Sequence, residues 1–179
     1  MPVYLFTYHT YRSWMPDHPR GYTKRKRGVL PSDPVMARRY AGRAKFERVL
    51  WDEADREVAL RAVARVCEHP DREDWRLHEA VAVFNHLHVV VSWEGKDAAS
   101  SLGEEARVAD TAARGASKVL HRAITVDVRD SRGWEAGRAV LSRGGDRKRV
   151  RDKRHLKYLV EVYLPRHKRY GGVLWSEMG

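Results

Sequence analysis

The sequence predicts an α+β fold, a mainly antiparallel sheet with helices packed on it. Three observations lead there. VYLFTY (Val3–Tyr8), RLHEAVAV (Arg76–Val83) and HLHVVVSW (His86–Trp93) are strand-length runs rich in aromatic and β-branched residues. Other stretches repeat apolar residues at three- and four-residue spacing, as an amphipathic helix does. The resulting order is strand, helices, strand, strand, helix, strand, helix, which has ferredoxin-like character.

Taken along the chain, Val3–Tyr8 is the first strand. Thr10–Pro31 follows as a long basic loop, with three prolines, two glycines and the run Lys24-Arg25-Lys26-Arg27. Asp33-Pro34 is a helix start, Asp as N-cap and Pro at the first helical position, for a helix to about Arg48. Asp52 caps a second helix, on which Val58, Ala62 and Val66 recur until Pro70 ends it. The next two strands form a hairpin through Phe84-Asn85. A third helix covers Ser101 to about Ala123, with Leu102, Ala106, Ala109, Ala113, Ala116 and Leu120 on one stripe. Residues 127–137 read as a loop, Arg138–Leu141 as a short strand and Arg143-Gly144-Gly145 as a turn. Asp152–Arg169 is a basic last helix. No repeat or composition break divides the chain, so one domain over residues 1–179 is expected.

The composition limits what such a domain does. Of 179 residues, 42% are hydrophobic, enough for a buried core. The net charge is +11, which makes an anionic polymer the first partner to consider. Residues 1–50 carry a net +8, residues 51–130 a net −5 and residues 131–170 a net +9. Both basic ends interleave cations with aromatics (Tyr8, Tyr11, Trp14 and Tyr22; Tyr158, Tyr163, Tyr170 and Trp175), a pattern that suits a groove for a phosphate backbone and unpaired bases. Solvated tails would have the same charge. No run approaches 18 apolar residues, so no bilayer span is expected, and the start lacks a signal peptide's basic and apolar regions. The one cysteine, Cys67, excludes an internal disulfide and a Cys-rich zinc module, and fits a reducing, cytoplasmic location.

Two constellations could do chemistry. On a strand His86 and His88 project from the same face, which makes half of a site for Mn²⁺, Zn²⁺ or a similar ion, or else two hydrogen-bonded histidines on a sheet. Leu87 and Val89 pin the opposite face in a core. In the last helix, Tyr163 and His167 stand at i and i+4 and share a face. A phenolate there is a competent nucleophile once a cation offsets its charge; otherwise Tyr163 extends the apolar stripe of Leu156, Leu159 and Val160. Tyr158 and Tyr170 have Val162 and Leu174 at i+4, which bind no metal.

FNHLHVVVSW, followed about 75 residues later by YLPRH, resembles the single-tyrosine HUH transposases, the small transposases of single-strand insertion sequences and the REP-associated tyrosine transposases. TYHTYRSWMPDHPRGY (7–22) is similar to the T-Y-x-T-W-L-P-x-D-x-R-G segment near the start of one branch. ARGASKVL (113–120) is similar to the helix after the histidine strand. LSRGGDRKRVRD (141–152) is similar to the W-x-R-G-G-x-x-x-x-x-x-D stretch before the tyrosine helix, with Leu141 and Ser142 near the place of the Trp. Together these cover nearly the whole chain in order.

The resemblance implies an HUH endonuclease fold and a single-strand DNA endonuclease and strand transferase. It implies that His86 and His88 ligate Mg²⁺ or Mn²⁺ and that Tyr163 attacks the scissile phosphorus, leaving a 5′-phosphotyrosine. His167 stands where the family commonly has a Gln as third ligand. A third histidine shifts the preference from Mg²⁺ toward Mn²⁺ or Zn²⁺. Pro165, between Tyr163 and His167, either displaces His167 or ends the helix. Lys24, Arg25, Lys26 and Arg27, with Arg143, Arg147, Lys148, Arg149 and Arg151, become candidate contacts to single-stranded or hairpin DNA. The resemblance also implies a homodimer in a bacterial cytoplasm, associated with the nucleoid. Two rival functions use the same residues: a non-catalytic DNA binder on this scaffold, and a metal-dependent RNA phosphodiesterase that needs no tyrosine.

Overall fold

Alternation along the first strand sets up the molecule, which is seen in a computed structural model describing residues 1–24, 27–94 and 102–178. β1 (Val3–His9) sends Tyr4, Phe6 and Tyr8 to one face and Leu5, Thr7 and His9 to the other. It pairs antiparallel with β5 (His86–Ser92), which forms a hairpin with β4 (Arg76–Val83) across Phe84-Asn85. Two short hairpin strands, β2 (Tyr22–Lys24) and β3 (Gly28–Leu30), lie within the segment expected to be a basic loop. With β6 (Asp146–Arg149) and β7 (Val173–Leu174), the central sheet is five-stranded and antiparallel, in the order β6-β1-β5-β4-β7. The expected α+β class is therefore the observed one.

Each face of this sheet has its own core. Phe6, Tyr8, Ala80, Ala82, Leu87 and Val89 meet α2 (Glu53–Cys67) and α3 (Leu102–Ser131) through Leu60, Val63, Leu120 and Ile124. The other face is covered by the C-terminal helical segment, with Leu159, Leu164 and Leu174 against Leu5, Val81 and Val90. α2 starts in a capping box, Asp52 and Asp55 accepting each other's backbone N–H. The buried Asp55 also receives Arg132 from just beyond α3, which locks the two helices together.

Several boundaries differ from those read in the sequence, each for an identifiable reason. α1 (Pro34–Gly42) ends at Gly42 rather than near Arg48. Beyond it, Val49 N–H donates to the Tyr11 carbonyl and Trp51 N–H to that of Phe84, which draws the chain out of helix. α3 runs to Ser131, through part of the expected loop, because Ile124 and Val128 continue its buried stripe; Gly133 then turns the chain with φ of 61°. The short strand expected at Arg138–Leu141 is reduced to one bridge, Thr10 with Leu141, and the real strand is β6.

Arg143-Gly144-Gly145 is correspondingly a bulge rather than a turn. From Thr10 to Thr7 is three steps on β1, whereas from Leu141 to Asp146 is five on its partner, so two extra residues are taken up. Gly145 presses so closely on β1 that a Cβ there would lie 2.9 Å from the Thr7 carbonyl oxygen.

The last helix is continuous but not uniform. Asp152 caps α4 (Lys153–Tyr158), a π-turn spans Leu159–Tyr163, and a tight 3₁₀ segment runs over Pro165–Tyr170. Pro165 has no N–H, and its ring would strike the carbonyl of Glu161 in a regular α-helix. Widening the preceding turn, with Leu164 N–H donating to the Leu159 carbonyl at 2.9 Å, relieves that clash.

Candidate functional site

On the sheet face opposite α2 and α3, β5 displays His86 and His88, and β1 places Thr7 directly across from His88. The helical segment over this face brings in Tyr163 and His167. The ring centroids of His86, His88 and His167 are 4.8, 4.9 and 5.4 Å apart, and Tyr163 lies 5.3 Å from His167 and 5.5 Å from His88. Ligand atoms of the three histidines all lie within 4.8 Å of one another. Pro165 thus ends the wide part of the helix without removing His167 from the group.

The outward-turned nitrogens fix the rings. His86 Nδ1 donates to the Asn85 side-chain oxygen at 2.7 Å. His167 Nδ1 lies 3.2 and 3.1 Å from the carbonyls of Tyr163 and Leu164, which can only accept. His88 Nδ1 lies 2.8 Å from Thr7 Oγ1. The Asn85 oxygen and the two carbonyls can only accept, so Nδ1 of His86 and of His167 carries a proton, and Nε2 is the ring atom left for a ligand. Thr7 Oγ1 both donates and accepts, so its bond holds the His88 ring without selecting a tautomer. The Tyr163 hydroxyl makes a long contact of 3.5 Å with His88 Nε2.

Burial favours the neutral rings. Desolvation, with help from His9 and His167, pushes the His86 pKa down to about 3. Desolvation, with His86, His167 and His9 around it, pushes His88 down to about 2. Three imidazoles whose ligand atoms lie within 4.8 Å of one another, His86 and His88 held neutral by burial, fit a divalent transition ion; magnesium prefers oxygen ligands.

The group opens into a cleft of about 470 Å³. Trp14, His18 and Arg20 line its outer side, Asp146 and Lys148 of β6 line its edge, and the Lys148 ammonium sits 3.3 Å from the Asp146 carboxylate. His18 stacks on Trp14 with centroids 3.8 Å apart, and Trp14 in turn lies 5.4 Å from His9, beside His86. The cleft is thus one-sided, with aromatic and basic groups on its walls and the imidazoles at its floor.

Comparison with protein-family models and with curated proteins returns no match. Among solved structures, the chain is similar to a REP-associated tyrosine transposase bound to a REP hairpin. The TM-score is 0.46 at 11% identity, over 94% of this chain and 68% of that one.

The basic residues singled out from the sequence do not form one patch. Lys148 is in the cleft. Arg143 and Arg147 face α3 from the other side of β6, and Arg149 and Arg151 line a separate hollow with Met1 and Val3. Arg27 lies exposed at the β2–β3 hairpin tip; Arg25, Lys26 and the Lys24 side chain lie outside the described residues. Among the described residues no helix is long and apolar enough to cross a membrane.

Thr7 and Asn85 are the site residues that pattern reading passed over. Asn85 is adjacent to the first histidine, and an amide beside a metal-ligand candidate is a usable signal. Thr7 is visible only once the register of β1 against β5 is known.

Proposed function

We propose that this protein is a metal-dependent endonuclease and strand transferase for single-stranded DNA, with Tyr163 as nucleophile. The observation that carries the reading is the Tyr163 hydroxyl beside three imidazoles whose ligand atoms lie within 4.8 Å of one another in an open, partly basic cleft. His86, His88 and His167 would hold a divalent ion, which when bound supplies a Lewis acid for a phosphate oxygen and an offset for developing charge. The sequence resemblance supports DNA, single-stranded or hairpin-forming, as the partner, and a homodimer in the cytoplasm as the working form.

Tyr163 Oη attacks the phosphorus as its proton passes to water in the open cleft. The Oη–P bond forms as the P–O3′ bond breaks, and the departing O3′ takes up a proton to become a hydroxyl. The product is a 5′-phosphotyrosine that retains a phosphodiester, so a later 3′-hydroxyl can displace Tyr163 and rejoin the strand without another energy source. Lys148, beside Asp146 on the cleft wall, would supply positive charge to the backbone. The π-turn sets the phase of the tyrosine relative to the sheet, since it determines which residues of the segment face His88.

The test is to incubate the protein with Mn²⁺ and single-stranded oligonucleotides from the flanks of its own gene. A protein–DNA adduct that survives denaturation, and is absent in Tyr163→Phe, is expected. An adduct undiminished in that variant would overturn the nucleophile assignment. Cleavage without an adduct that persists in Tyr163→Phe would mark a phosphodiesterase instead.

A further inference from the structure

A second basic hollow lies on the opposite side of β6 from the cleft. It measures about 490 Å³ and is bounded by α3 and the bulge, with Arg114, Lys118 and His121 on one wall and Arg143 and Arg147 on the other. Gly144 and Gly145 complete its rim, where no side chain hinders close approach to the backbone. Alternation along β6 makes this arrangement: Lys148 turns toward the histidines and Arg147 toward α3.

The cations here are poorly neutralised. Asp110 pairs with Arg114 at 2.7 Å and lies 3.9 Å from Arg147. Lys118 and Arg143 have no carboxylate partner among the described residues, and the Arg147 Nε is buried without a hydrogen-bond acceptor. One carboxylate therefore faces four permanent cations, a surplus of positive charge that suits an anionic oxygen. β6 is an edge strand, so nothing in the sheet separates this hollow from the cleft beyond the strand itself.

We infer that the α3–bulge hollow is a second phosphate-binding site, which holds the backbone of the same DNA strand on the far side of β6 from Tyr163. The inference rests on DNA being the partner but not on catalysis. Lys118 and Arg143 are its exposed anchors, and the half-buried Arg147 adds a third cation. A strand bound there and in the cleft passes over the β6 edge, and the two anchorages fix its direction across the tyrosine.

The test measures single-stranded DNA binding by fluorescence anisotropy over a salt series, with chelator present so that binding is separated from cleavage. Lys118→Ala and Arg143→Ala are compared with Arg61→Ala, an exposed cation on α2 paired with Glu57. Each cation that neutralises a phosphate of a single strand adds about 0.7 to the magnitude of the slope of log K against log salt. Each hollow variant should therefore have a slope shallower by about 0.7, and the double variant one shallower by about 1.4. Arg61→Ala should keep the wild-type slope. A double variant with the wild-type slope, or an equal change in Arg61→Ala, overturns the site even if the Tyr163 adduct forms. Wild-type protein that binds no DNA overturns both this inference and the proposed partner; a missing adduct with the expected slopes overturns only the catalytic reading.

Discussion

Replacing Asn85 by Ala tests whether the histidine group is built to present its lone pairs. The amide oxygen accepts from His86 Nδ1 at 2.7 Å, and that bond holds the proton away from Nε2 and fixes the ring plane. The main-chain carbonyl of Asn85, not its side chain, receives Thr10 N–H at 3.0 Å and Ser13 Oγ–H at 2.9 Å, so Ala keeps the loop anchored. The loss is then local: one hydrogen bond, of about 1 kcal/mol, and the orientation of one ligand. Removing such an outer partner typically lowers metal affinity by about 10–100-fold, which equals about 1.4–2.8 kcal/mol. Titration calorimetry with Mn²⁺ at neutral pH reads this directly, and the melting temperature should fall by only about 2–4 °C. Asn85→Asp, which keeps an acceptor in place, should bind at least as tightly as wild type. Affinity in Asn85→Ala within about twofold of wild type would refute the assignment of Nε2 as the ligand atom of His86.

Other consequences follow from the same structure. Because His86 and His88 are held neutral when folded but titrate near 6.5 when unfolded, metal-free stability is full above about pH 6.5 and falls below it, by up to about 1.4 kcal/mol per pH unit for each ring; melting temperatures unchanged between neutral and mildly acidic pH would contradict the burial of both. Gly145→Ala should destabilise the fold and disturb the cleft edge, since the new Cβ meets the Thr7 carbonyl at 2.9 Å and must push β6 away; amide exchange at β6 accelerated relative to β4 is the expected sign. Leu120→Ala, at a fully buried position of the larger core, should cost about 2–5 kcal/mol in a denaturant titration. Asp55→Ala should cost about 3 kcal/mol, because it removes half of a capping box and leaves Arg132 without its buried partner; a loss below about 1 kcal/mol would show that solvent already compensates Arg132.

The strand hairpin with its two histidines was legible because alternation has period two and the apolar run sits beside it. The pairing of Tyr163 with His167 was legible from helical spacing, though the real backbone there is a π-turn followed by a 3₁₀ segment. β6 was missed because DRKR has no apolar residue to mark it; its pairing comes from β1 and from the glycines that let it approach. The early stop of α1 was equally hidden, since the backbone bonds that draw residues 49–51 outward come from Tyr11 and Phe84, distant in sequence. Total charge pointed to a polyanion, but only the fold divides the cations between the two sides of an edge strand.

The three histidines come from two parts of the fold. His86 and His88 are part of the sheet, whereas His167 sits on the terminal arm, which rests on a core much smaller than the one beneath α2 and α3. An ion held by all three would cross-link arm and sheet, and the arm could lift only by giving up a bond to His167. Apparent metal affinity would then include whatever it costs to hold the arm against the sheet. Since Tyr163 sits on the same arm, an ion that tied His167 to the sheet would also hold the phenol beside the imidazoles.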